Sequence, residues 1–134
     1  MIQRIQSIYL LLAAVSNGIL IFLFPLYVVN GGSRMILEDP TFTIMTVLST
    51  LVSLFSIFRY RNRQQQVVSG RINIILNFVL FGLFLFMYYT LSKEAAVSFH
   101  AGTFFPILSV ILISLANRAI LKDEALVRSA DRLR

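Results

Sequence analysis

Residues 59–71, with the sequence RYRNRQQQVVSGR, contain four arginines and no acidic residue, and they separate two strongly apolar halves of the chain. We call this stretch the basic segment. An arginine cluster of this kind stays on the cytoplasmic side of a bacterial-type membrane, because its transfer across the bilayer is strongly disfavoured. Both neighbouring apolar segments are therefore predicted to lead away from the cytoplasm. The residues predicted to set this topology are Arg59, Arg61, Arg63 and Arg71.

The composition indicates a membrane protein. Hydrophobic residues make up 57% and charged residues 13% of the 134 residues, and the mean hydropathy is +0.81. A soluble domain of this length cannot bury so much apolar surface, so the surplus is expected to face lipid. The net charge of +6 comes from basic residues beside apolar runs, and membrane orientation explains it without a nucleic-acid partner. The chain has no cysteine, which excludes disulfides and thiol chemistry.

Hydrophobic runs predict four membrane-spanning helices, at about residues 7–29, 40–58, 72–91 and 103–121. Each run is long enough to cross most or all of ~30 Å of hydrocarbon at ~1.5 Å per residue. The predicted fold is all-α: an integral membrane four-helix bundle within residues 1–121. A charged, helical, cytoplasmic tail is expected at residues 122–134.

Local signals mark the ends of these helices. Residues 30–33, NGGS, predict a turn. Asp39 before Pro40 predicts the start of the second helix, because an aspartate side chain can cap free amides and proline suits the first helical position. Residues 69–70, SG, are expected to precede the third helix, and the fourth is expected to begin near Thr103.

Lysines and arginines are distributed unequally between the two sides of this topology. Of the twelve, only Arg34 and Lys93 fall on the side away from the basic segment. This asymmetry predicts that both termini and the basic segment are cytoplasmic. The basic residues assigned to the cytoplasmic side are Arg4, Arg59, Arg61, Arg63, Arg71, Arg118, Lys122, Arg128, Arg132 and Arg134.

The two ends of the chain resemble a known family. The opening MIQRIQSIYLLLA and the closing NRAILKDEALVRSADRLR resemble a family of small four-span inner-membrane proteins of Bacteroidota that is described as a domain of unknown function. The resemblance implies a multi-pass protein of the bacterial inner membrane. It implies no reaction, cofactor or binding site.

Few residues in the chain could perform catalysis. The single histidine, His100, could bind a metal only with Glu94, Glu38 or Asp39, and their spacing is not diagnostic of a metal site. No Asp, Glu, Lys or His lies within the predicted spans, although these are the usual residues of proton relays and ion pathways. We therefore expect no enzyme activity, no metal and no cofactor.

Polar residues within the spans form the first candidate site. Ser49, Ser53 and Ser56 share one face of the second helix, which predicts close packing against a neighbour. Polar groups in the spans are expected to turn inward, because each would be costly in lipid. They could serve as hydrogen-bonded links between helices or could line a cytoplasm-facing cavity for a ligand. The predicted cluster comprises Asn17, Ser53, Ser56, Asn73, Asn77, Ser114 and Asn117.

The charged tail forms the second candidate site. Drawn as a helix, it places Glu124, Arg128, Asp131 and Arg132 on one face, with Glu124 and Arg128 at the favourable four-residue spacing. The tail could be a solvated extension of the fourth helix or a surface that docks on a partner. The mixture of charge signs favours a protein partner over anionic lipid alone.

The function predicted from these features is that of a non-catalytic accessory or assembly subunit of a larger inner-membrane complex. Its surroundings are the lipid bilayer, and its tail is expected to contact the partner. The alternative is a small oligomeric transporter or a lipid- or ligand-binding protein that uses the polar cluster. A membrane enzyme is disfavoured, because the acid, base and metal-ligand sets are missing.

Overall fold

The protein is a bundle of four helices. The computed structural model describes residues 2–23, 27–34, 38–59, 61–99 and 101–132. The predicted four-helix bundle is confirmed. Helix α1 consists of an α-helix at Ile2–Val15, a π-helical turn at Ser16–Leu20 and a short α-helix at Ile21–Leu23. Helix α2 is Pro40–Phe58, α3 is Arg63–Ser92, and α4 is Phe105–Arg132, preceded by a 3-10 helix at Ala101–Phe104.

The helices are arranged in a ring in which α1 and α3 each pack against α2 and α4. Helices α2 and α3 are antiparallel, because Phe42 meets Phe84 near one end and Ser56 meets Gln66 near the other. The end that holds the connection between α2 and α3, the start of α1 and the last turns of α4 is called the basic end. The opposite end holds a small sheet.

The bundle has an apolar exterior. Leu51, Phe58 and Ile72, among many others, are exposed, as expected of a surface that faces lipid. Among the described residues, three helices are long and apolar enough to span a membrane, at Pro40–Phe58, Arg63–Ser92 and Gly102–Arg132, and Ile5–Ile19 is a shorter apolar helix. The buried apolar side chains between the helices include Leu10, Leu80, Phe84, Ile113 and Ile120.

A three-stranded antiparallel sheet covers the end opposite the basic end. Its strands are β1 (Tyr27–Val29), β2 (Gly32–Arg34) and β3 (Val97–Phe99), in the order β2-β1-β3. Asn30 and Gly31 join β1 to β2 with φ angles of 50° and 82°, and two positive φ angles in a two-residue turn are typical of a type I′ hairpin. The turn predicted at this point is confirmed, but the sheet was not expected.

The sheet corrects the predicted end of the first span. Residues 27–29 were assigned to the first helix, but they form strand β1, and the described part of α1 ends at Leu23. The sequence YVV favours a strand because it is aromatic and β-branched. Strand β1 also gains a partner on its second side, since Val28 lies opposite Ser98 of β3.

The start of α2 lies where it was predicted, but its capping differs. Pro40 is the first helical residue and Asp39 occupies the N-cap position. The Asp39 side chain makes no capping hydrogen bond, so the prediction that this side chain caps α2 is wrong. Its backbone carbonyl instead accepts hydrogen bonds from the amide and the hydroxyl of Thr43, at 3.1 and 3.0 Å.

Helix α3 begins nine residues earlier than predicted, at Arg63 rather than Ile72. The side chain of Asn62 caps it by accepting a hydrogen bond from the backbone amide of Gln65 at 3.2 Å. The following QQQ favours a helix, because glutamine loses little rotamer freedom there. Most of the basic segment is therefore helical, and Gly70 lies inside α3 rather than before it.

Helix α4 begins at Phe105 and continues to Arg132 without a break. Its start lies two residues after the predicted one, and Pro106 is in the first turn, where a missing amide hydrogen costs little. Ala125 to Arg132 are all exposed. The described part of the tail is therefore a continuous extension of α4, and it is exposed from Ala125 onward.

Candidate functional site

A cluster of polar side chains fills the centre of the bundle. Asn17 of α1, Ser49 and Ser53 of α2, and Asn73 and Asn77 of α3 are each at most 1% exposed. Ser49 is the middle residue of Pro40–Phe58, which places the cluster about halfway along α2. We call these five residues the central cluster.

Asn17 links α1 to both neighbouring helices of the central cluster. Its Nδ2 atom donates to Ser49 Oγ and to Asn77 Oδ1, each at 2.8 Å. Asn17 lies in the π-helical turn of α1, a feature that often occurs at functional sites. The next residue, Gly18, lies so close to α2 that an added Cβ would be 2.8 Å from Thr50 Cγ2. The absence of a side chain at Gly18 thus permits the close approach of the two helices.

Ser49 and Asn73 connect α2 to α3. The hydroxyl of Ser49 donates to Asn73 Oδ1 at 2.6 Å, and Asn73 Nδ2 donates to Ser53 Oγ at 2.7 Å and to the Ser49 carbonyl at 3.2 Å. Asn77 Nδ2 donates to Ser49 Oγ at 2.8 Å. Ser49 was predicted only as a packing residue, but it has more partners in other helices than Ser53 does.

The central cluster satisfies most of its own hydrogen-bonding groups. Within the described residues, Asn17 Oδ1 is a buried acceptor without a partner. The other amide groups of the cluster are used in bonds between its members or to backbone carbonyls. Such an arrangement holds three helices in one register, because rotating any helix would leave polar groups unpaired in an apolar medium.

Two of the predicted cluster residues are buried elsewhere in the bundle. Ser56 donates to the Val52 carbonyl of its own helix at 2.9 Å, and its own carbonyl accepts from Gln66 Nε2 at 3.0 Å. Asn117 donates to the Val67 carbonyl at 3.4 Å, nearer the basic end. Ser56 and Asn117 are buried, but neither belongs to the central cluster.

The prediction that Ser114 faces inward is wrong. Ser114 is exposed, because α4 buries the face that contains Ile113, Asn117 and Ile120 and Ser114 is turned about 100° away from Ile113. The buried serine of α4 is Ser109, whose Oγ lies 2.7 Å from Ser16 Oγ of α1. Neither Ser16 nor Ser109 was predicted as part of the site.

Asn117 packs against Gly70 where α3 and α4 cross. A Cβ atom added to Gly70 would lie 2.3 Å from Asn117 Oδ1, so the asparagine occupies the space that any other side chain would need. This contact explains why glycine is found inside α3, where it otherwise weakens a helix.

At the basic end, one ion pair links α3 to α4 and another lies within α4. Arg63 Nη2 lies 3.1 Å from Asp123 Oδ2, and these side chains are 27% and 15% exposed. Arg128 Nη2 lies 2.8 Å from Glu124 Oε1, the four-residue pair that was predicted within the tail. The first turn of α3 contains no acidic residue, so Asp123 provides the negative charge that is favourable near a helix N-terminus.

A cleft of about 600 Å³ lies between the start of α3 and the end of α4. We call it the mixed-charge cleft. Its described lining includes three arginines and one glutamate, and two of the four predicted docking residues, Glu124 and Arg128, are among them. Asp131 and Arg132 are exposed further along α4. The lining residues used below are Arg61, Arg63, Gln64, Glu124, Val127 and Arg128.

The described part of the chain contains no group of three or more His, Asp or Glu side chains that could hold a metal ion. His100, the single histidine, lies outside the described residues.

Comparison with known proteins gives one match. Residues 2–133 match the family described as "Domain of unknown function (DUF4293)". No curated protein and no solved structure matches the chain. The match covers nearly the whole chain, including both ends that resembled such a family.

Proposed function

We propose that this chain, which belongs to the family of unknown function described as DUF4293, is a non-catalytic accessory or assembly subunit of an inner-membrane complex. It docks a partner protein at its basic end, through the mixed-charge cleft and the exposed end of α4. The observation that most supports this proposal is the cleft itself, because it joins the predicted docking residues Glu124 and Arg128 to the arginines of the basic segment.

The proposed orientation places the basic end in the cytoplasm. Arg71 and Arg118 are exposed on α3 and α4, and they lie next to Gly70 and Asn117, which are in contact. Two arginines at one level on lipid-facing surfaces are expected to extend toward the inner membrane surface. From Arg118, the described part of α4 then continues for roughly 20 Å at 1.5 Å per residue, enough to present its last turns to a cytoplasmic partner.

The chemistry of the mixed-charge cleft suits an acidic segment of a partner. Arg61, Arg63 and Arg128 outnumber Glu124 in the described lining. Arg63 and Arg128 already form ion pairs within the chain. A guanidinium has five N–H donors, and an incoming carboxylate can therefore join these pairs without displacing them.

The central cluster is proposed to serve as structural links within this subunit. Its side chains use one another as partners, and they join α1, α2 and α3 at mid-bundle. A transport pathway would instead need polar groups along the full depth of the bundle. The buried apolar group formed by Phe42, Leu80 and Phe84 lies between the central cluster and the sheet.

Site-specific photocrosslinking tests the docking surface. Val127 lines the mixed-charge cleft, whereas the adjacent Leu126 does not, and the two are 43% and 53% exposed. A photoreactive amino acid at position 127 of the full chain, expressed in native membranes, should crosslink to one discrete protein. The same group at position 126 should give that product at a much lower yield. Equal yields at the two positions, or crosslinks to lipid alone, would contradict docking at the cleft.

A further inference from the structure

Two openings lie side by side on the outer surface between α2 and α3. The first is an apolar groove of about 690 Å³, whose lining includes Leu48, Leu51, Leu54, Phe55, Phe58 and Ile72. The second is a polar cleft of about 500 Å³, whose lining includes Arg59, Asn62, Gln64 and Gln65. Phe55 and Ser69 line both, so the two openings adjoin each other.

The two openings lie at different levels along the bundle axis. The polar cleft is at the basic end, and the apolar groove extends from it toward the middle of α2. Residues 48–58 span about 15 Å of helix at 1.5 Å per residue. This length is half of the ~30 Å hydrocarbon core, and it therefore matches the depth of a single leaflet.

Arg59 is held at the junction of the polar cleft and the groove. Its Nη1 atom donates to Gln65 Oε1 at 2.7 Å, and its guanidinium carbon lies 4.8 Å from the centre of the Phe55 ring. Both contacts restrict the side chain, and the hydrogen bond to Gln65 uses one of five N–H donors. These contacts place a cation at the point where the groove meets the basic end.

The polar cleft differs from the mixed-charge cleft in its charge. Its described lining contains Arg59, neutral amide and hydroxyl side chains and the apolar Phe55 and Val68, but no acidic residue, whereas Glu124 lines the mixed-charge cleft. An anion near Arg59 therefore meets a cation and amide donors without a nearby carboxylate in that lining. The hydrocarbon part of the same molecule can occupy the apolar groove.

We infer that the α2–α3 surface binds one anionic phospholipid, with an acyl chain in the apolar groove and the phosphate at Arg59. This inference goes beyond the proposed docking function, since it concerns another face of the bundle. The occupant is a lipid rather than a free phosphate because the groove is apolar, exposed and one leaflet deep. It is anionic because the only described charged side chain that lines the polar cleft is Arg59.

Native mass spectrometry of the full-length protein in detergent tests the inference directly. The protein is titrated with phosphatidylglycerol or with phosphatidylcholine of the same acyl chains, and glycerol 3-phosphate is added as a soluble competitor. One phosphatidylglycerol should be retained in preference to phosphatidylcholine. In the Arg59→Gln variant, the ratio of phosphatidylglycerol affinity to phosphatidylcholine affinity should fall by about tenfold, the change expected from one charged hydrogen bond. Glycerol 3-phosphate should not displace the lipid.

A matched variant separates this site from general electrostatic attraction. Arg132→Gln removes one exposed cation from the end of α4, outside both openings, and it should leave the preference unchanged. Equal losses in Arg59→Gln and Arg132→Gln would overturn the inference, as would equal retention of the two lipids by the unaltered protein. Displacement by glycerol 3-phosphate would show a phosphate site rather than a lipid site.

Groove occupancy provides an independent readout. Leu51→Trp adds bulk within the apolar groove, whereas Leu11→Trp adds it to an exposed position on α1; the two leucines are 55% and 51% exposed. The Leu51 variant should retain less phosphatidylglycerol than the Leu11 variant at equal protein stability. Equal retention would contradict an acyl chain in the groove.

Discussion

Asp123 of α4 forms an ion pair with Arg63, the first residue of α3, with 3.1 Å between Asp123 Oδ2 and Arg63 Nη2. The pair links the start of one helix to the last part of another across 60 positions of the sequence. Asp123 also lies near the N-terminus of α3, where negative charge is favourable. This ion pair therefore joins the basic segment to the last part of α4.

Replacing Asp123 with Asn should destabilise the bundle by about 1 kcal/mol, because both side chains are partly exposed and such pairs are screened by solvent. Combining Asp123→Asn with Arg63→Gln should cost less than the sum of the two single changes. Reversible unfolding in mixed micelles measures the coupling. Strictly additive single changes would mean that the pair contributes nothing.

The central cluster is predicted to stabilise the bundle rather than to bind a ligand. Replacing Asn73 and Asn77 together with leucine should lower the free energy of unfolding by roughly 1–2 kcal/mol, since hydrogen bonds in membranes average about 0.6 kcal/mol each. Ser114→Leu, at an exposed position on α4, is the control and should have little effect. Partner binding should fall only in proportion to the folded fraction. Complete loss of binding at normal abundance would instead favour a ligand cavity.

Gly70→Ala should destabilise the protein by about 1–3 kcal/mol, the usual cost of overpacking. The added Cβ would lie 2.3 Å from Asn117 Oδ1, whereas a Cβ at Gly82 would meet nothing within 4 Å. Gly82→Ala is therefore a matched control and should be neutral or slightly stabilising, since alanine favours a helix. Thermal unfolding of the two variants compares them; equal midpoints would show that Asn117 moves aside at no cost.

The proposed topology can be tested by cysteine labelling, because the chain has no cysteine of its own. Single cysteines are introduced at the exposed positions Asn30, Gln64, Glu94 and Ser129. Position 64 is used in the basic segment because the nearby side chain of Gln66 is buried. A membrane-impermeant maleimide added to intact cells should label positions 30 and 94. Labelling at 64 and 129 should require permeabilised cells, and direct labelling at 64 would refute the orientation.

The helical part of the fold could be predicted because it follows from local patterns. Long apolar runs identified the helices, Asp39 and Pro40 identified the start of α2, and the four-residue spacing identified the pair between Glu124 and Arg128. The early start of α3 could also have been found. Asn62 lies three residues before Gln65, which resembles a helix N-terminal capping pattern, but the third helix was predicted to begin only at Ile72, after the basic segment.

Other features depend on residues that are distant in the sequence. Strand β1 pairs with β3, which lies 70 residues away, and Ser16 meets Ser109, which lies 93 residues away. Ser114 was predicted to be buried because it is polar, but the neighbours of α4 determine which face is buried. Contacts of this kind require the relative rotation of the helices, which a single sequence does not specify.

Charge reversal at the end of α4 tests the central proposal that the basic end docks a partner. Arg128→Glu combined with Arg132→Glu should reduce co-purification of the partner by about tenfold or more, because an acidic partner surface would be repelled. Deleting residues 128–134 should have the same effect, while Arg118 and Lys122 remain to support insertion.

The control is Leu126→Glu combined with Ala130→Glu, which adds acidic charge at exposed positions but leaves both arginines in place. The decisive measurement is quantitative mass spectrometry of proteins that co-purify with each variant at equal membrane abundance. The proposal predicts that the arginine reversal and the deletion lose one shared protein, while the control retains more of it. Full retention of every partner by both the reversal and the deletion would contradict docking at the basic end.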